Sequence, residues 1–169
     1  TDLSAAKVLA NELEKINQER KKIQEETFLE AESLLRNDGD LKNKRVIVLA
    51  SEIFHPGVIG IAASKIVDKY HRPTVLIAIE EGLGKGSGRS IPKFNLFRAF
   101  TDCSSHLIQF GGHAYAAGLS IEEENIDNFC VAMNKVGSLY LQEKDLIPTL
   151  RIDSILKLSQ IDFALYKSL

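Results

Sequence analysis

Cysteine is scarce: Cys103 and Cys130 are the only two in 169 residues. Neither has a partner at metal-ligand spacing, and both sit in apolar-periodic segments, so core packing is favoured over a disulfide or a zinc site. Long apolar runs are missing as well. No stretch approaches the roughly 18 residues needed to cross a bilayer, and the polar N-terminus lacks the apolar region of a signal peptide. A cytoplasmic location without membrane contact is the expectation. Charge of one sign is also lacking, because the formal net charge is -2. That value excludes a globally basic nucleic-acid binder and leaves room for a local basic site.

The signatures of a self-contained catalyst are equally absent. There is no Asp-His-His triplet, no HExxH and no GxSxG, and four scattered histidines make no metal centre. Glu80-Glu81 and Glu122 to Glu124 read as solvated turn and helix-start charges. No metal ligand is therefore assigned, and catalysis is expected to come from elsewhere. Internal repeats and low-complexity tracts are absent.

What is present has the balance of one ordinary globular domain with extensions: 44% hydrophobic and 26% charged residues. From Leu3 to Arg36 no Pro or Gly occurs, and Leu9, Leu13, Ile16, Ile23 and Leu34 recur at helical spacings, up to a turn at Asn37-Asp38-Gly39-Asp40. A helix of about 34 residues, near 50 Å long, suits a connector better than an element of a small core. Next come a strand from Arg45 to Ala50, a helix opened by Pro56 and a strand from Thr74 to Ile79. This βαβ rhythm implies a parallel pair with a right-handed crossover. A Gly-rich stretch leads to a helix over about Phe94 to Gln109, a strand over Tyr115 to Ile121 and a helix over Glu124 to Gln142. After Pro148 a strand over Leu150 to Leu156 and a helix over Ser159 to Leu169 are expected, with the chain continuing into a longer protein. The fold class is α/β, a mixed sheet flanked by helices and preceded by a long connector helix.

Two segments carry donors suited to an anion. In Gly84-Lys85-Gly86-Ser87-Gly88-Arg89-Ser90, alternating glycines allow close approach of a ligand, while Lys85, Ser87, Arg89 and Ser90 suit phosphate oxygens. Lys93 extends this acid-free stretch. The spacing matches neither a P-loop nor a dinucleotide fingerprint. On spacing alone, a Gly-rich hairpin with solvated Lys and Arg is favoured. In Gly111-Gly112-His113, followed by Ala114-Tyr115-Ala116-Ala117-Gly118, a turn with converging amides sits beside a histidine able to donate to a phosphate. The plainer alternative is a helix cap, a hydrogen-bonded His113 and a tightly packed strand. Two such segments in one small domain strengthen the case for a site. In His55-Pro56-Gly57-Val58-Ile59-Gly60-Ile61-Ala62-Ala63, the small residues suit close packing of a helix, with His55 before it either a polar cap or facing a partner domain. His71 and His106 read as surface or helix-face residues.

Taken together, HPGVIGIAASKIVDKYHRPTVLI, GKGSGRSIPKFNLFRAFTDCSSHLIQFGGHAYAAGLSI and LEKINQERKKIQEE resemble the C-terminal half of the RecJ family. These are bacterial single-strand-specific 5′-to-3′ DNA exonucleases of repair and recombination, in the DHH phosphodiesterase superfamily. The GGHxxAAG pattern is shared with oligoribonucleases and cyclic-dinucleotide phosphodiesterases. Those remain the alternative function, with a non-catalytic interaction module as a third.

The resemblance implies a connector helix over 1–38, a DHH-associated substrate-binding domain over 39–147, and over 148–169 the start of a region leading to an OB-fold outside this chain. It implies that the Mn2+ or Mg2+ ligands belong to a DHH domain, also outside this chain, so that the 169 residues alone are inactive. It further implies that Lys85, Ser87, Gly88, Arg89 and Ser90 grip a phosphate, and that Gly111, Gly112 and His113 approach the scissile phosphate, His113 in an auxiliary role. The implied partners are single-stranded DNA and the DHH and OB-fold domains of the same parent chain.

Overall fold

The computed structural model describes residues 2–41 and 43–168. Helix α1 spans Leu3–Asp38, opened by the Asp2 carboxylate accepting from the Ser4 amide at 2.9 Å and closed by Gly39 in the left-handed region at φ 66°. Its C-terminal third is the part that packs: Thr27, Ala31, Glu32 and Leu35 are buried. Leu9, Leu13 and Ile16 are 59 to 67% exposed, so the N-terminal stripe has no cover among the described residues. No described helix is long and apolar enough to cross a membrane.

Five strands follow: β1 Ile47–Ser51, β2 Thr74–Glu80, β3 Leu83–Arg89, β4 Gln109–Gly112 and β5 Ala116–Glu122. They form one sheet in the order β1-β2-β3-β5-β4, with β1 and β2 parallel and every other neighbouring pair antiparallel. Helix α2, Ile59–Tyr70, makes the crossover between the parallel strands, as the βαβ rhythm predicts. Helices α3, Leu96–Asp102, and α4, Ile126–Tyr140, cover the opposite face. The mixed α/β sheet with flanking helices is the expected fold class.

Strand alternation divides the core into two. Val46, Val48, Val75, Ile77, Leu119 and Ile121 point toward α3 and α4, where Phe94, Phe100, Phe129 and Met133 fill the space. Ile47, Leu49, Leu76 and Ala78 point the other way, against Ala62, Ala63 and Ile66 of α2 and Ala31 and Leu35 of α1. Residues opposed across antiparallel strands share a face, so the Leu76 face continues through Ser87 and Gly118 to Gly111. Beyond β3 no helix among the described residues lies above that face: Ala116, Gly118, Gly111 and Gln109 are exposed. The sheet is thus covered twice on one half and once on the other.

Three expectations are corrected. The helix over Phe94 to Gln109 is instead the short α3, a single 3-10 turn at Ser104–His106 and then β4. The spacing of Leu96, Ala99, Phe100 and Cys103 is helical, but at Cys103 the backbone leaves the helical range, at φ -101° and ψ 12°, and the helix ends there. Phe110 then packs by strand alternation, opposite Leu119. The Gly-rich stretch, by contrast, meets the hairpin reading that its spacing favours: it is strand β3, joined to β2 by the tight turn Glu81-Gly82, both at positive φ. Leu150 to Leu156 forms no strand: Leu150, Ile152 and Ile155 are 70 to 90% exposed, and no strand among the described residues pairs with them. A final helix α5 spans Phe163–Ser168, later than the expected start, and Leu169 lies outside the described residues.

Candidate functional site

The open half of the sheet is built by β3 and its two neighbours. Alternation along β3 buries Gly84, Gly86 and Gly88 and turns Lys85, Ser87 and Arg89 to the opposite face. A side-chain carbon at Gly84 would stand 2.7 Å from Ile77, at Gly86 2.7 Å from Leu119, and at Gly88 2.5 Å from Leu96. The glycines therefore admit the core's large side chains from below, rather than a ligand from above. Gly88 takes part in the site only through its carbonyl, which accepts from the Arg89 guanidinium at 2.8 Å.

On the upper face the same guanidinium donates to Ser87 Oγ at 3.2 Å, which holds both side chains in one place. Among the described residues no carboxylate pairs with Lys85, Arg89 or Lys93, whereas seven other ion pairs are present. A half-buried arginine with free donors and no counter-charge is prepared for an anion brought from outside.

The spacing assigns Gly60 to helix packing only. A side-chain carbon there would meet the Arg89 guanidinium at 2.7 Å and Ser87 Oγ at 2.9 Å. The first turn of α2 is thus bare where these two groups lie against it. The signal for this was in the sequence as the small-residue pattern Gly57, Gly60, Ala62, Ala63, but which of the four faced β3 was decided only by the sheet. The N-cap of α2 is Val58, without a side-chain cap; His55 instead braces the turn ahead of the helix, its Nδ1 accepting from the Gly57 amide at 3.0 Å.

Gly111 and Gly112 are not in a turn but in β4, the last strand of the sheet, opposite Gly118 and Ala117. Backbone groups of an edge strand alternate between the neighbouring strand and the outside, so one edge of this pair is open. Gly112 has φ 134°, and a side-chain carbon would stand 2.5 Å from the Ala116 carbonyl oxygen. The turn comes next: the His113 amide donates to the Ala116 carbonyl at 2.8 Å, closing a hairpin tip of His113, Ala114 and Tyr115. His113 is exposed there. Ala116 pairs with Arg89, which places the tip at the Arg89 end of β3.

Ser90 turns away from the cradle. Its hydroxyl donates to the Phe94 carbonyl at 2.7 Å and its amide to the Tyr115 carbonyl at 3.0 Å, so it ties the loop after β3 to the hairpin tip. The structure therefore brings together Lys85, Ser87 and Arg89 over a floor of Gly118 and Gly111, with His113 at one end and Gly60 behind. Beside these donors, and not lined by them, an open depression of about 350 Å3 lies along Gln109, Phe110 and Gly111 of β4, Gly118, Leu119 and Ser120 of β5, and Gly86. Among the described residues no group of three or more His, Cys, Asp or Glu is arranged to hold a metal ion. Both thiols are pushed up to about 11, chiefly by burial and further by Asp102 beside Cys103 and Asp127 near Cys130, which removes them as nucleophiles.

This arrangement has relatives. The DHHA1 domain family matches residues 43–137. The chain is 36% identical over 156 residues to the single-stranded-DNA-specific exonuclease RecJ of Bacillus subtilis, covering 91% of this chain and 20% of that protein. With RecJ of Escherichia coli it shares 38% over 153 residues, or 85% of this chain and 26% of the relative. Among solved structures it is similar to RecJ of Thermus thermophilus in complex with Mn2+, with a TM-score of 0.72 and 29% identity over 83% of this chain and 20% of that one. A manganese-bound exonuclease RecJ matches with a TM-score of 0.68 and 31% identity, covering 81% and 33%. The chain spans about a fifth to a quarter of the length of the curated relatives it matches.

Proposed function

Since the chain belongs to the DHHA1 domain family, in its RecJ-like form, we propose that its open half-sheet is the substrate-gripping face of a metal-dependent 5′-to-3′ single-stranded-DNA exonuclease. The observation that carries this reading is the unneutralised Arg89, held by Ser87 Oγ at 3.2 Å and the Gly88 carbonyl at 2.8 Å over a floor of glycine and alanine. A phosphate oxygen receives charge-assisted hydrogen bonds from the guanidinium and a further one from the Ser87 hydroxyl, while Lys85 adds a mobile charge. The small residues of β5 and β4 keep the sheet low, so the sugar-phosphate backbone lies flat across it. His113, at the end of this track, donates to an adjacent phosphate oxygen in an auxiliary role.

In this reading the three segments of the chain have separate duties. Residues 1–38 connect to a DHH domain that supplies the Mn2+ or Mg2+ ligands, 39–147 hold the substrate, and 148–169 lead toward an OB-fold. The exposed Leu9, Leu13 and Ile16 of α1, and Leu150, Ile152 and Ile155 near the C-terminus, are the surfaces such neighbours would cover. Single-stranded DNA is favoured over short RNA or a cyclic dinucleotide because the relatives named above are single-stranded-DNA-specific exonucleases. The parent enzyme would then be a cytoplasmic hydrolase of DNA repair and recombination.

The test is Arg89→Ala in the full-length protein, with affinity for 5′-phosphorylated single-stranded DNA measured by fluorescence anisotropy. Loss of a charged hydrogen-bond donor is expected to weaken binding about tenfold or more, at about 1.5–3 kcal/mol. Unchanged affinity would remove the cradle and leave the domain an interaction module.

A further inference from the structure

Beside the cradle, at the Arg89 end of β3, lies a pocket of about 230 Å3 lined by Lys93, Phe94, Asn95, Ala114 and Tyr115. Two features of it are unexplained by packing. Lys93 has φ 80°, and the Phe94 amide donates to the Ile91 carbonyl at 3.3 Å, so Ile91-Pro92-Lys93-Phe94 is a type II turn with Pro at its second position. The third position of such a turn favours Gly or Asn, because a side chain there is strained. The chain nevertheless carries a lysine, exposed and without a carboxylate partner among the described residues. Tyr115, at the hairpin tip, leaves 61% of its surface uncovered.

The two are held rigidly. The Leu96 amide donates to the Ala114 carbonyl at 2.9 Å, the Ser90 amide to the Tyr115 carbonyl at 3.0 Å, and Ser90 Oγ to the Phe94 carbonyl at 2.7 Å. The loop after β3 and the hairpin tip thus form one braced unit, one residue beyond Arg89. An uncovered aromatic ring beside a lone cation, next to a phosphate grip, has the composition of a single-strand stacking platform.

Resting on the cradle reading above, we propose that Tyr115 and Lys93 form a nucleotide subsite, in which Tyr115 stacks on an unpaired base and Lys93 contacts the phosphate following the one held at Arg89. Stacking on an aromatic face is tolerant of base identity, so the subsite adds affinity and register without sequence preference. It also explains why a strained turn position carries a long cationic side chain instead of glycine.

The experiment uses the full-length protein, a 3′-labelled and 5′-phosphorylated oligothymidylate, and a chelator to prevent cleavage. Tyr115→Ala is expected to weaken binding about tenfold, and Tyr115→Phe to retain it, since the ring survives. An abasic spacer moved along the oligonucleotide should weaken the wild type at one position near the 5′ end and have no effect there in Tyr115→Ala. Lys93→Gly is expected to lower the slope of log affinity against log salt by about 0.7 while the melting temperature holds or rises, because glycine suits the turn. A merely structural lysine gives no change of slope. Retained affinity in a folded Tyr115→Ala, or an unchanged salt slope in Lys93→Gly, overturns the subsite; if Tyr115→Ala fails to fold, the Lys93→Gly arm decides. Arg89→Ala run in parallel separates the two failures: if it alone weakens binding, the cradle stands without the subsite.

Discussion

At Gly60 two requirements of a single residue oppose each other. Inside a helix alanine is preferred to glycine by about 1 kcal/mol, so the position is locally unfavourable as it stands. The added carbon of alanine would stand 2.7 Å from the Arg89 guanidinium and 2.9 Å from Ser87 Oγ, both ends of side chains that can move. Gly60→Ala is therefore expected to leave the fold intact, with an unchanged or raised melting temperature, while displacing the arginine. Substrate affinity should fall by up to about tenfold, equivalent to about 1.4 kcal/mol. A double-mutant cycle checks the route: combined with Arg89→Ala, Gly60→Ala should have no further effect on affinity, because the group it acts through is gone. Additive losses would mean that Gly60 serves some other contact. The residue types of the cradle were legible from sequence, since Lys85, Ser87 and Arg89 alternate with glycine. Which face each occupied was not. A period of two says that the glycines share one side, and only the neighbouring Ile77, Leu119 and Leu96 determine that this side is the core.

Among the elements, α1 shows how far periodicity reaches. Its length, its cap at Gly39 and its apolar stripe follow from the sequence, but the stripe does not reveal that only the C-terminal third meets a partner within the chain. That third is held to α2 through Glu32, which is 6% exposed, pairs with the Lys69 ammonium and accepts from the Tyr70 hydroxyl at 3.2 Å. The Lys69 hydrogen bond holds the Glu32 carboxyl below the usual glutamate range despite its burial. A depressed folded-state value contributes stability above the unfolded value, about 4.3, and loses it as pH falls through the folded one. The wild type should therefore lose more melting temperature between pH 6 and about pH 3 than Glu32→Gln, whose neutral amide has no proton to bind, while Glu32→Gln melts lower at pH 6. Parallel curves for the two proteins would show that the pair contributes nothing. The segment from Phe94 to Phe110 shows the opposite limit. Apolar spacing there mimics one long helix, and no Gly or Pro announces the backbone's departure from helical geometry at Cys103. Leu150 to Leu156 has the alternation of a strand and lacks a neighbour to pair with, so pattern alone was insufficient.

For the molecule as a whole, the separation of charge from chemistry sets what these residues can do unaided. A net charge of -2 gives no general attraction to a polyanion, and the local cations available to one at the cradle are Lys85 and Arg89 of β3 and Lys93 in the loop after it. Two or three phosphate contacts release few counterions, so the isolated chain should bind single-stranded DNA weakly, with log affinity falling against log salt at a slope of about -1.4 to -2.1. Hydrolysis of a phosphodiester at neutral pH further requires an activated water and neutralisation of the developing charge, which a metal centre supplies. No described group of three or more His, Cys, Asp or Glu is placed to hold one. Addition of Mn2+ to the 169-residue chain should therefore produce no shortening of a 5′-phosphorylated single strand on a denaturing gel, although the same strand is retained at low salt. The full-length protein should degrade it under the same conditions. Shortening by the chain alone would place a complete catalytic centre within it, and tight binding insensitive to salt would place the main contacts somewhere other than the phosphates.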